Sequence, residues 1–533
     1  YTTKRILLVA ARISQNNIMK RIILILQIVL ILLVPINLIS QITINDGLRV
    51  KVYNGSSMDV TGNANVESGG ILIISGEMDV SGVFTNNDVT NSAAITITSN
   101  ATETGSLIFA SGTPAATVER YIPHTSAWNM VSPSTTDVSG QNFYDAAGGS
   151  SSWLTKFYEP TGTGQDLGAG WLYITKLDSV FTLGTGLLYW PAAADETVEF
   201  KGNLQDGDLT LSPLSYTSAS HGFNLIGNPF SSALYWDGKS QKTSMEGTIW
   251  ICDGSNYQAS PGDLATINIP VGQGFFVRAT NTDAVIEIPA AKRVHNTQAF
   301  LKSSKNIISN EYSSLTLKAL NNSYEDNVHI SFGDNGTYNF DDAYDATKMF
   351  GLAEAPQLYL VEEAGNQSFD HLPLLNEGES TTVNMSYIAG ADGIQTLVAD
   401  FTHLTDIEVI LEDLLENIEY DLNKNTVYEF TATKEDDADR FILHFAYSPD
   451  GIEDEEAIDN HISIYSLGKQ IKIKSVNELN GSVAVYDIMG RDLYWQELDN
   501  TKTENFNINA NNTYVIVKLI TENSIKTQKV FIK

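Results

Sequence analysis

One cysteine, Cys252, stands in 533 residues, so no intramolecular disulfide and no cysteine-based zinc cluster can form, and stability must come from buried area. Histidine is scarce as well. The eight residues (His124, His221, His295, His329, His371, His403, His444 and His461) stand singly, with no HExxH spacing to set two imidazoles on one helix face for zinc. No Gly-x-Ser-x-Gly elbow marks a nucleophile. Basic residues number 32 against 64 acidic ones, a balance that repels phosphate backbones and anionic headgroups and argues against a nucleic-acid partner. So many acids leave room for a facing carboxylate pair of the kind that hydrolyses glycosides, although a solvated acidic surface has the same composition.

Long apolar runs are missing too, with one exception. "IILILQIVLILLV" (22–34) follows Met19-Lys20-Arg21 and ends at Pro35 before a polar exit at Ser40-Gln41, the layout of a secretory signal peptide over 19–40. Gln27 interrupts the run, which is shorter than the roughly 20 apolar residues of a spanning helix. The mature chain is therefore expected to lack a transmembrane segment. No cysteine follows the run to accept a lipid. Residues 1–18, which begin at Tyr1, read as non-native upstream translation.

What the chain does contain is Gly, Ser, Thr and Asn between short apolar runs, which predicts an all-β, multidomain protein. In 41–118, "MDVTG" (58–62) is echoed by "MDVSG" (78–82), and "ILIISG" (71–76) by "SLIFASG" (106–112). A period near 20 residues predicts β-solenoid-like coils, with a plain meander as the alternative. Residues 119–305 read as a duplicated β-rich unit with copies at about 119–205 and 206–300. "WNMVSP" (128–133) is followed by "GTGLLYW" (184–190), and "FNLIGNP" (223–229) by "VGQGFFV" (271–277). Gly186 precedes Phe200 by the same fourteen residues that separate Gly274 from Ile288. No helical stretch follows either Gly-x-Gly, so neither is a dinucleotide fingerprint, and "DGKS" (237–240) is no P-loop because Ala233 stands where glycine is needed. Alternating segments predict a β-sandwich over 306–447, then an acidic linker (448–460) and a separate small module (461–533).

That module carries "SVAVYDIMGR" (482–491), with Val483 and Val485 on one face before Tyr486, Asp487 and a turn at Gly490-Arg491. "TYVIVKL" (513–519) follows, with Tyr514, Val515 and Val517, and the chain ends on "KVFIK" with Lys529, Val530 and Ile532. These residues resemble the C-terminal sorting domain, type A-like, of proteins exported through the type IX secretion system of Bacteroidetes-type bacteria. One position departs: Asn512 stands where the family has glycine, and asparagine tolerates positive φ better than most residues. The resemblance implies an Ig-like β-sandwich, Sec-type export to the periplasm, the type IX machinery as partner, and passage across the outer membrane. Release, or attachment to surface lipopolysaccharide, would follow. "NLIGNPFSSALYWD", "FDDAYDATKMFG" and "PQLYL" are similar to phrases of non-enzymatic surface proteins that share this signal.

Two clusters are candidate sites. Tyr235, Trp236 and Asp237 could form a sugar platform, an aromatic face beside a carboxylate, or equally a packed strand corner. Asp334, Asn335, Asp341, Asp342 and Asp345 in "GDNGTYNFDDAYD" (333–345) supply oxygens for calcium, the one cofactor suggested; their spacing is not that of an EF-hand, and a turn with exposed acids is the alternative. No catalytic residue is assigned. The expectation is a secreted or cell-surface protein that adheres, scaffolds or binds glycans. A polysaccharide-degrading enzyme with the same sorting domain and a spacer with no small ligand are the alternatives.

Overall fold

The computed structural model describes residues 41–448 and 462–532, apart from 125–126, 150–152, 163–169, 192, 219–220, 239–241, 262–266, 299, 302–311, 322, 468, 512 and 522–524. The expected upstream segment, the signal peptide, nearly all of the acidic linker and Asn512 lie outside the described residues. The chain is multidomain and nearly all β; Gly140–Ala146 is the one α-helix among the described residues.

At the N-terminal end, three parallel ladders stack successive coils. Arg49–Val52, Ile71–Ile74, Ile95–Ile97 and Ala115–Ile122 form one. Ser57–Val60, Glu77–Asn86 and Ser106–Ser111 form the second, and Ile42–Ile44, Ala64–Val66 and the end of Glu77–Asn86 the third. A meander would pair its neighbours antiparallel. Each coil places an apolar residue at the same inward position, so Val52, Ile74, Ile97 and Val118 lie in register one above another, all buried. Met58–Val60 pairs residue for residue with Met78–Val80, so the echoed "MDV" is one coil position used twice. The other echo is coincidental: Ile71–Ile74 lies in the first ladder and Ser106–Ser111 in the second. Nor does the chain break at 118–119, because Ala115–Ile122 closes the solenoid on one edge and pairs antiparallel with Glu196–Asn203 on the other.

The duplication appears as two four-stranded sheets of the same order. In the first, Asn129–Val131 pairs Leu187–Trp190, then Trp153–Phe157, then Trp171–Tyr173. In the second, Phe223–Gly227 pairs Gly274–Arg278, then Ile249–Cys252, then Tyr257–Ser260. The registers match: Asn129 faces Tyr189, three residues after Gly186, and Asn224 faces Val277, three after Gly274. The sheets meet through Met130 and Leu188 of one and Phe223, Trp250, Cys252 and Phe276 of the other.

The two Gly-x-Gly motifs lock the copies together. Ser132 N–H donates to Gly272 O and, reciprocally, Gly227 N–H donates to Gly184 O, both at 3.0 Å. Gly184 and Gly272 hold φ of +80° and +71°, which an L side chain rarely adopts. A Cβ on Gly186 would lie 2.4 Å from Ile226 O, so the backbones approach too closely for any other residue. The motif that imitates a phosphate loop is a joint.

Residues 313–447 form one continuous eleven-stranded ladder around a single core that includes Leu315, Leu317, Ile330, Leu360, Val409, Leu443 and Phe445. A sheet of this length encloses a common core only by curling on itself. Two ion pairs are buried within it, Lys348–Asp326 at 2.5 Å and Arg440–Asp413 at 2.8 Å, every partner at most 2% exposed. The C-terminal module has five strands, ordered Ile462–Leu467, Gln470–Asp487, Thr513–Thr521, Ile525–Ile532, with Asp492–Asn507 also on Gln470–Asp487. Val483, Val485, Val515, Val517, Val530 and Ile532 are its core, as their alternation predicts.

Candidate functional site

The expected sugar platform is occupied by its own protein. Trp236 is buried, its Nε1–H donates to Gly247 O at 3.2 Å and its ring meets Phe275 edge-on at 5.7 Å. Lys292 pairs with Asp237 at 2.5 Å and lies 5.1 Å over the Tyr235 ring, so both flanking groups are engaged. Tyr235, Trp236 and Asp237 are a packed corner: strand alternation turns Trp236 into the core.

The five acidic-turn residues do not converge either. Asp334, Asn335 and Asp342 are exposed, whereas Asp345 is buried and accepts Asp341 N–H at 2.7 Å and His371 N–H at 2.8 Å. Asp341 in turn accepts Ala343 N–H at 2.8 Å. Among the described residues no three His, Cys, Asp or Glu side chains gather to hold a metal ion. The turn is tied by its own backbone.

Asp345 has a different consequence. Burial pushes its carboxyl up to about 7 despite the two N–H bonds, and burial together with Glu362 also raises Asp370. For Asp345 the folded value lies above the ordinary one, so its contribution to stability is full below about pH 4 and is lost as pH rises towards 7. Unfolding free energy should fall between pH 4 and pH 7, by up to about 1.4 kcal/mol per pH unit, and fall less in Asp345→Asn. Equal slopes in the two proteins would assign the effect to another group.

One pair resembles catalytic machinery. Ser331 Oγ lies 2.6 Å from His371 Nδ1, yet both residues are no more than 1% exposed and Asp345 bonds the histidine's backbone rather than its ring, so the pair neither meets substrate nor forms a triad. A cavity of about 20 Å³ between the sandwich and the C-terminal module, lined by Glu408, His444 and Tyr465, has room for about one water.

The sorting-motif residues divide by role. Asp487 accepts N–H bonds from Met489 and Arg491 at 2.9 Å and pairs with Arg491 Nε at 2.6 Å, and Gly490 completes the turn at φ +81°. The tightened turn presents Ile488 and Met489 to solvent at 68% and 79% exposure. Tyr486 is half-buried, while Tyr514 is exposed beneath Lys529, whose Nζ lies 4.1 Å from the ring centroid.

The surface that sequence reasoning missed is aromatic. Across the first unit's sheet, Trp190, Trp153 and Tyr173 stand on successive strands, and Trp128, just before the strand Asn129–Val131, extends their line. Ring centroids are 5.4 Å apart for Trp128–Trp190, 6.4 Å for Trp190–Trp153 and 6.4 Å for Trp153–Tyr173, with planes inclined at 42–85°. Trp153 and Tyr173 are 55% and 60% exposed, while Trp128 and Trp190 are half-buried and Trp128 packs against the core between the sheets. Five residues after Trp190 in the chain, Asp195 accepts bonds from Tyr121 O–H and His124 N–H, and the first of these chiefly holds it below the usual carboxylate range. The members of the aromatic row are scattered over 128–190, and only the pairing register brings them together.

No helix among the described residues is long and apolar enough to cross a membrane. Two family models match, both described as domains of unknown function: DUF8693 over residues 237–445 and DUF8694 over 451–532. No curated protein matches. Among solved structures, the chain is similar at 9% identity and a TM-score of 0.15 to the BSP domain of a biofilm associated protein, covering 61% of this chain and 92% of that one. It is similar at 10% identity and a TM-score of 0.10 to the central fibronectin-III array of RIM-binding protein, covering 60% and 94%. The second family match coincides with the five-stranded C-terminal module, and the first joins the second unit to the sandwich.

Proposed function

We propose that this chain is an exported surface protein whose body adheres to glycans and whose C-terminal module is its export address. The observation that supports adhesion is the aromatic row in which Trp153 and Tyr173 are exposed and Trp128 and Trp190 half-buried, since solvent-facing rings lose water when a sugar face covers them. A glycan-array screen of the chain tests it, and silence on every glycan would leave the spacer reading.

For export through type IX machinery, the support is the turn that Asp487 ties and from which Ile488 and Met489 project. Asp487→Ala should loosen this turn and leave the protein in the periplasm of a type IX-competent host while the module's core remains folded. Unchanged surface delivery would remove the turn from the address.

A further inference from the structure

The pseudo-twofold relation between the two sheets identifies what each residue of the aromatic row corresponds to in the other copy. Counting from Gly186 and Gly274, Trp190 corresponds to Arg278; through the register, Trp128 corresponds to Phe223, Trp153 to Thr248, Thr155 to Trp250 and Tyr173 to Ala259. In the second copy this end of the sheet is closed by the sandwich. Thr248 Oγ1 donates to Asp345 O at 3.1 Å, Trp250 Nε1 to Thr347 O at 3.0 Å, and Arg278 Nη1 to Thr347 Oγ1 at 3.2 Å. These are hooks for a peptide strand.

The first copy replaces the hooks with rings. Where Thr248 and Arg278 donate, Trp153 and Trp190 stand, and Thr155 turns its hydroxyl back to Leu188 O at 3.4 Å. The second copy folds the same sheet without this row, so the unit's architecture does not demand it. A face on which Arg278, Thr248 and Ala259 give way to Trp190, Trp153 and Tyr173, beside an aromatic residue common to both copies, suits a ligand that stacks.

Charge narrows the ligand further. The chain carries a formal net charge of −32, Asp195 is tied to His124, whose ring in turn bonds Pro191 O next to Trp190, and Lys156, three residues along the strand from Trp153, alternates to the opposite face. Uronic or sulfated glycans meet repulsion here. A neutral pyranose has no such penalty; its hydroxyls donate to a carboxylate and its C–H face covers an indole. Four rings, three on successive strands and Trp128 just before the fourth, mutually inclined, form a stepped surface longer than a single ring and fit several sugar units rather than one.

Resting on the glycan-adhesive reading above, we infer that Trp128, Trp190, Trp153 and Tyr173 bind a neutral, extended polysaccharide along the row. The test is calorimetric titration of the full chain with glucan, mannan, xylan and galactan oligosaccharides of one to six units, and with polygalacturonate. Neutral oligomers of at least one series should bind, tightening with length up to about four units. Trp153→Ala and Tyr173→Ala, both at exposed positions, should each weaken binding at least tenfold, while Trp495→Ala on the C-terminal module should not. Polygalacturonate binding that is lost in Trp153→Ala, with neutral oligomers silent, would overturn the neutral ligand and keep the glycan reading. Binding by no saccharide, or binding indifferent to both row substitutions, would overturn the row as a glycan site altogether.

Discussion

Arg440→Met is expected to cost the sandwich about 3–5 kcal/mol, because it leaves Asp413 charged, buried and without its partner. Asp413 is 1% exposed and holds Arg440 through Nε at 3.0 Å and Nη2 at 2.8 Å; Tyr428 O–H adds a bond at 2.9 Å. The guanidinium also covers the Phe430 ring at 4.5 Å and donates from Nη1 to Thr431 O at 2.9 Å, so the pair joins three strands. Desolvating both ions consumes most of their attraction, so the pair as a whole contributes far less than its disruption costs. Arg440→Met with Asp413→Leu should therefore recover most of the loss. Urea midpoints of the two variants decide this: a single variant within about 1 kcal/mol of wild type would mean that Asp413 finds water or a proton.

The second large effect is expected at the joint between the copies. Gly186→Ala places a methyl 2.4 Å from Ile226 O and 2.7 Å from Leu225 Cγ, the first of these a backbone atom that cannot rotate away. Separating the sheets would break the Gly186 N–H bond to Leu225 O and the neighbouring bond from Gly227 to Gly184. A loss of about 3 kcal/mol, the upper range for overpacking, is expected in the transition of the duplicated unit. Gly207→Ala is the control, since its nearest neighbour is the flexible end of Gln205 at 3.6 Å and its φ is not positive. Similar midpoints for the two variants would show that the joint yields at little cost.

Much of the fold was legible in the residues, and for a common reason. Repetition in a chain becomes repetition in space when each copy buries the same face. "MDV" at 58–60 and 78–80 reads as one coil position because Val60 and Val80 must both point inward. The two Gly-x-Gly phrases share a register because each pairs with the same aromatic-Asn-apolar strand. Val483, Val485, Val515 and Val517 show their buried face by alternation alone. Boundaries were less legible. The strand Ala115–Ile122 serves two domains, and a residue's hydrophobicity does not state how many partners its strand has.

Sites were the least legible. Tyr235-Trp236-Asp237 drew attention because an indole and a carboxylate adjoin in the chain, yet adjacent strand residues face opposite ways, and Trp236 went to the core. The acidic turn gathered oxygens in sequence, while the backbone sent Asp345 inward and left Asp334 in water. Trp128, Trp153, Tyr173 and Trp190 show the converse: far apart in the chain, they become neighbours only through strand pairing.

By itself the sequence determined the β class, the acidic surface, the coil period, the duplication and the module that ends the chain, because these depend on composition and on patterns that recur along one strand. Tertiary structure alone decided which copy's sheet is closed by the sandwich and which leaves Trp153 and Tyr173 in solvent. Exposure is a property of what lies opposite a residue, and what lies opposite is set by contacts distant in the chain.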